Sequence, residues 1–172
     1  SWSEAYRAPN LVTINEDIVA RNNTRNDFAC IYAAENGGDP EQNTLDCRNS
    51  IQRIAQGSDQ LLPEESTNIS FGIVLNPLDG LTITADYWSI EKDNTIGLFG
   101  EENHTLLDLL FRLEAGTSNC GTATFNPAVT REAAGEGESI IYQNAGICPA
   151  GEIQFIDDQY LNLNTRNLAG ND

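Results

Sequence analysis

Hydrophobic and polar positions alternate with period two over two neighbouring stretches of the chain. In the first, Ile69, Phe71, Ile73 and Leu75 alternate with Asn68, Ser70, Gly72 and Val74. In the second, Leu81, Ile83, Ala85 and Tyr87 alternate with Thr82, Thr84, Asp86 and Trp88. This period predicts two β-strands, each with one apolar and one polar face. Between them, Asn76-Pro77-Leu78-Asp79-Gly80 supplies a proline that presets φ and a glycine that accepts positive φ, the chemistry of a tight turn. A hairpin over 63–92 follows, with Leu75 expected to face Leu81 and both apolar rows on one side. The other side is small and polar rather than core-forming. A soluble sandwich shows this pattern, and so does an outer-membrane barrel, whose strands are about 9–11 residues long and apolar towards lipid.

The flanking regions read differently. Ser1 to Ala8 is expected to end a strand that Pro9-Asn10 stops, so 1–9 is a strand end. In 10–62, Asn15 ahead of Glu16-Asp17 predicts a short helix through Arg21. Asn36-Gly37-Gly38-Asp39-Pro40 is a turn cluster. Thr44 to Gln56 reads as a helix with Cys47, Ile51 and Ile54 on one face and Gly57 as its stop. In 93–172, Leu106, Leu109, Leu110 and Leu113 repeat at helical spacing, predicting a helix over 105–115 capped by Thr105 and ended by Gly116. Asn126-Pro127 opens a second predicted helix through Ala134, broken by Gly135-Glu136-Gly137-Glu138. Ser139–Tyr142 and Glu152–Ile156 read as short strands, and 162–172 as polar loop. The order is strand, long loop, tight hairpin, long loop. Soluble domains rarely carry loops this long unless the loops fold or act.

Charge narrows the partners. Nine basic residues against 26 acidic give a net −17. Nucleic acid is not an expected partner, because phosphate binding needs a basic face. Eight acids and four arginines leave 10–62 at −4, and twelve acids and three arginines leave 93–172 at −9. No apolar stretch approaches the ~20 residues of a membrane helix. The chain starts at Ser1, has no methionine and stops in a polar run, so it is expected to be a piece of a longer protein.

Cysteine usage adds a compartment. Cys30/Cys47 and Cys120/Cys148 form two sequence-local pairs, no CxxC is present, and His104 is distant in sequence. Two disulfides, Cys30–Cys47 and Cys120–Cys148, are expected rather than a zinc site, and they imply an oxidising compartment. Each would stabilise by ~3 kcal/mol on the chain-entropy model.

Candidate chemistry is sparse, and neither an enzyme nor a cofactor is expected. His104 reads as an exposed loop residue at a helix start. Glu64-Glu65 would need to act as paired carboxylates, yet strand neighbours point to opposite faces. Asp39, Glu41, Asn43 and Asp46, and Asp157-Asp158, offer oxygen ligands of calcium type without the full loop spacing. Tyr87 and Trp88, near the outer end of a strand, read as an interfacial aromatic girdle.

Three motifs together resemble one family. Ser3-Glu4-Ala5-Tyr6-Arg7-Ala8-Pro9-Asn10 resembles the FRAPN-like strand end of TonB-dependent outer-membrane receptors. Leu62-Pro63-Glu64-Glu65-Ser66-Thr67-Asn68, with Gly72 beyond, resembles the entry to a descending barrel strand of that family. Leu81-Thr82-Ile83-Thr84-Ala85-Asp86-Tyr87-Trp88-Ser89-Ile90 resembles the ascending strand that follows. The resemblance covers 1–92 and implies a mainly β fold with short helices: a transmembrane barrel hairpin plus two disulfide-stapled extracellular loops, 10–62 and 93–172. It further implies the outer membrane of a Gram-negative bacterium, with contact to outer-membrane lipid. By the same resemblance, a bulky nutrient (siderophore, peptide or oligosaccharide) is taken up with TonB-delivered energy. No plug, TonB-contacting segment or C-terminal aromatic strand lies in the chain, so coupling to the TonB complex is implied through other parts of such a receptor. The alternative is a secreted acidic binding or adhesion module without transport. For the isolated chain, the apolar hairpin row is expected to hide under the 105–115 helix or in self-association. The loops are expected to capture ligand; shielding the barrel is the rival role, and no ligand-contacting residue is identified.

Overall fold

The computed structural model describes residues 1–15, 19–38 and 45–171. In chain order the elements are β1 (Trp2–Arg7), α1 (Leu11–Asn15), β2 (Val19–Asn26), α2 (Phe28–Asn36), β3 (Arg48–Gln56), β4 (Glu64–Leu78), β5 (Leu81–Asp93), β6 (Thr95–Leu98), α3 (Glu101–Ala115), β7 (Val129–Arg131), α4 (Glu136–Asn144), β8 (Ile153–Leu163) and β9 (Arg166–Asn171). They divide into two units: Ser1–Asn15, Ser58–Gly97 and Tyr160–Asp172 form one, Glu16–Gly57 and Leu98–Gln159 the other.

The first unit is built on the predicted hairpin. β4 and β5, 15 and 13 residues long, form the centre of an antiparallel sheet ordered β1-β4-β5-β9. At ~3.3 Å per residue these strands run about 40–50 Å, longer than a hydrocarbon layer requires. The turn is tighter than expected. Leu78 pairs with Leu81 across Asp79-Gly80, with Gly80 at φ +84°. Leu75 therefore faces Ile83 rather than Leu81. Pro77 falls where the register shifts between Leu75 and Leu78, a bulge that tolerates a residue without an amide donor.

The register sorts the sheet by face, because directly opposed residues share a side. Phe71 lies opposite Tyr87, Ile73 opposite Ala85, Leu75 opposite Ile83, and Trp2 opposite Ile69. The apolar residues of this face, from Trp2 and Ile69 to Leu75 and Ile83, are exposed, and beyond Ile69 the face turns polar through Thr67, Glu91, Glu65 and Asp93. Within the second unit the 105–115 helix buries Thr105, Asp108, Leu109 and Arg112. The aromatic girdle is also revised. Tyr87 joins Trp2 and Phe71 on the apolar face, whereas Trp88 points to the other side, where its ring packs on Gly170. The tail is not a loop: β9 pairs along β5 from Tyr87↔Asn171 to Lys92↔Arg166.

The second unit holds every buried residue among those described. One cluster joins Ala29, Cys30 and Ala33 of α2 to Leu109, Tyr142, Ile147 and Ala150; another joins Ile51, Val129, Ile153 and Ile156. Cys30 is bonded to Cys47 and Cys120 to Cys148. Several helix predictions fail here. Residues 48–56, expected as helix, form β3, antiparallel to β2 and parallel to β8. Residues 19–21 lie in strand β2 rather than a helix, and Glu16 and Asp17 lie outside the described residues. Val129–Arg131 is a strand where a helix from Pro127 was expected. Conversely, 139–142 is helical: Gly135 and Glu138 start α4 instead of breaking one, since the Glu138 carboxylate accepts from the Gly135 amide at 2.9 Å. Glu152–Ile156 does lie in a strand from residue 153 on, and β8 extends it to Leu163.

Candidate functional site

The second unit is organised around buried charge. Asp27 caps α2, its Oδ1 accepting from the amides of Ala29 and Cys30, because the first amides of a helix lack intrahelical partners. The same carboxylate receives a bidentate Arg131 fork, Nη1 to Oδ2 at 2.6 Å and Nη2 to Oδ1 at 2.8 Å. Arg131 Nε also donates to Asp108 Oδ2 at 3.0 Å, and Arg112 Nε donates to that atom at 2.9 Å. Arg112 continues to the Pro149 carbonyl at 2.8 Å and lies over the Phe125 ring, 4.2 Å from its centroid. One chain of charge-assisted bonds thus links α2, α3, β7 and the segment after Cys148. Burial pulls the Arg131 pKa down, but its hydrogen bonds and the fields of Asp27 and Asp108 outweigh that and raise it. Burial, reinforced by the Asp27 charge, pushes the Tyr142 hydroxyl well above its ordinary range.

A second knot surrounds His104. This residue is not an exposed loop position: it is buried in α3, which starts at Glu101, four residues before the expected cap. Its Nε2 lies 3.2 Å from Asp158 Oδ1, and the Asn126 amide donates to the His104 carbonyl at 2.9 Å. Asn126 is therefore a clamp between segments rather than a helix cap. Asp158 also accepts from the Gly100 amide, and Arg53 lies 3.9 Å from its other oxygen. The geometry is that of a tie. No nucleophilic hydroxyl is hydrogen-bonded to this histidine among the described residues.

The other candidate residues are dispersed. Glu64 and Glu65 sit on opposite faces of β4; Glu64 pairs with Arg7 at 3.3 Å while Glu65 lies across from Tyr6. Asp39, Glu41 and Asn43 lie outside the described residues, and Asp46 receives the Arg48 amide. Asp157 accepts from Gln56 while Asp158 turns into the core. Among the described residues no group of three or more metal-ligating side chains converges.

One concave surface of the second unit is large enough for a ligand group. A polar cavity of about 340 Å³ is lined in part by Asp27, Asp46, Asn49, Glu138, Tyr142 and Glu152. Four carboxylates face it, and the Asp27 charge is already balanced by Arg131. The sequence signal was the acidic character of the long segments; the convergence itself depends on contacts more than a hundred residues apart, such as Asp27 with Arg131.

Comparison with known families matches residues 1–126 to the model described as TonB dependent receptor-like, beta-barrel. No curated protein and no solved structure matches the chain.

Proposed function

Because this chain belongs to the family of TonB-dependent receptor β-barrels, we propose that β1, β4, β5 and β9 form part of the wall of an outer-membrane transporter, and that the second unit is an extracellular structure that captures the solute. The carrying observation is the sorting of the first sheet. An exposed apolar row, Ile69, Phe71, Ile73 and Leu75 with Ile83 and Tyr87, backs onto Ser70, Gly72, Thr84 and Asp86, which is the arrangement of a strand wall between lipid and lumen. Four strands cannot close a lumen, since outer-membrane barrels need about eight or more, so the sheet is completed by further strands of the receptor. The solute is a bulky nutrient of the siderophore, peptide or oligosaccharide class, and its passage is energised by TonB through other parts of the receptor.

The two long segments fold as one unit with its own core, two disulfides and buried ion pairs. Ordering a chain costs about 1–2 kcal/mol per residue in backbone entropy, and closing a hairpin needs only a few residues. Such investment supports a role for the unit beyond connection. The test replaces 16–57 and 98–159 with short Gly-Ser linkers in the receptor, in cells whose growth on a limiting nutrient depends on it. The expected result is an assembled barrel with lost binding of that nutrient to whole cells. Unchanged binding would assign the unit to shielding instead.

A further inference from the structure

The polar face of the same sheet carries a feature that transport alone does not demand. Lys92 on β5 lies directly opposite Arg166 on β9, and the same cross-strand row continues through Ser66 to Ala5. Like charges directly opposed across a sheet destabilise it. Among the described residues neither cation forms an ion pair. Arg7 lies two residues along β1 from that row and on the same face, opposite Glu64. Glu64 is occupied, one oxygen near Arg7 and the other accepting from the Ile96 amide at 2.8 Å.

At this end of the sheet strand alternation removes the other carboxylates from this face; Asp86, which shares it, lies opposite Gly72 towards the hairpin turn. Glu65, Glu91 and Asp93 all fall on the apolar side. The result is a separation of charge by face at the end of the sheet away from the hairpin turn. Three of the nine basic residues of a strongly acidic chain gather on the side opposite the lipid-facing row. A cavity of about 220 Å³ opens beside Arg7 and Lys92, at the β1–β4 side of the row, where Ala5, Ser66 and Glu64 line it together with Tyr6 and Glu65 from the strand edges; Arg166 stands outside it. Ile90 and Leu168, opposed across β5 and β9 and on the same face, give apolar surface beside the charges. A barrel lumen confines field lines between low-dielectric walls, which strengthens attraction for a complementary ion.

We propose that Lys92 and Arg166, with Arg7 beside them, form an oxyanion-recognising subsite on the lumenal wall, which takes a carboxylate or phosphate group of the transported solute. The paired cations supply charge, Arg166 supplies a planar fork suited to two oxygens, and Ile90 and Leu168 receive the solute's carbon skeleton. This inference rests on the transport reading and adds the charge class of the solute.

The test uses the receptor purified in detergent and three probes: ferric citrate, tri-galacturonate and neutral maltotriose. Calorimetric titration is expected to show at least one anionic probe binding, weaker as salt rises, with Kd raised tenfold or more by the double variant Lys92→Gln/Arg166→Gln. Lys92→Arg is expected to retain binding. Anion affinity unchanged in the double variant, or a wild type that binds none of the anionic probes, overturns the subsite. So does a double variant that loses only thermal stability, because the cations would then answer a carboxylate elsewhere in the receptor. Uptake of a neutral solute that survives the double substitution leaves the transport reading standing. That reading fails separately if receptor-null cells grow as wild type on every limiting nutrient.

Discussion

At the scale of single residues, the second unit is held by charges where a water-soluble core would ordinarily use apolar groups. Asp27, Asp108, Arg112 and Asp158 are buried, and each is matched by the partners described above. Removing one member of such a set is expected to cost far more than the set contributes, since the remaining charge is left unpaired. Tyr142 sits in the same neighbourhood, and its raised pKa carries a testable sign. The folded state disfavours the phenolate, so nothing is lost below the ordinary tyrosine value of about 10. Above it the unfolded chain releases the proton and the folded chain keeps it, so stability falls as pH rises. Chemical denaturation of the receptor's outer unit, followed by protease susceptibility between pH 8 and 11, is expected to show a steep alkaline decline. Tyr142→Phe is expected to flatten that decline. An identical slope in the variant would show that Tyr142 is not what ionises.

At the scale of elements, the sequence was legible wherever apolar and polar positions alternate by face or a turn is marked by Pro and Gly. β1, the β4–β5 hairpin and the start of β8 follow simple alternation or turn chemistry. β3 does not, because Arg53 stands between Ile51 and Ala55 on the inward side, where it approaches Asp158 and Glu101. That polar inward position masks the period of two, and the spacing of Cys47, Ile51 and Ile54 then imitates a helix. The third helix shows the same inversion more fully. Its buried face is Glu101, His104, Thr105, Asp108, Leu109 and Arg112, whereas Leu106, Leu110 and Leu113 of the predicted stripe face outwards. Single-sequence periodicity places leucines inside by default, and only the distant partners of Asp108 and His104 reverse it. Leu109 is 9% exposed and Leu110 51%, so Leu109→Ala is expected to destabilise the unit by about 2–5 kcal/mol. Leu110→Ala is expected to change it by under about 0.5 kcal/mol. Denaturation midpoints of the two variants compare them directly, and equal losses would restore the stripe to the interior.

At the scale of the whole molecule, the family membership and the sheet make one physical claim: a face exposed in this chain is solvated by lipid in the receptor. Ile73 and Val74 separate that claim from ordinary surface exposure. They are neighbours on β4, pointing to opposite faces, and both are exposed, at 45% and 64%. On a soluble protein a charge at either position would be nearly neutral, since both already meet water. In a barrel wall the two diverge. Ile73 lies on the apolar row opposite Ala85, and arginine on a lipid face near the bilayer midplane costs about 2–4 kcal/mol. Val74 lies opposite Thr84 on the polar side, where a charge keeps its water. Ile73→Arg is therefore expected to reduce the amount of receptor assembled in the outer membrane, read as the heat-modifiable band of the folded barrel, while Val74→Arg assembles as wild type. The lumenal charge added at Val74 would alter solute selectivity at most. Equal assembly of the two variants would contradict the assignment of the apolar face to lipid, and with it the orientation on which the lumenal position of Lys92 and Arg166 depends.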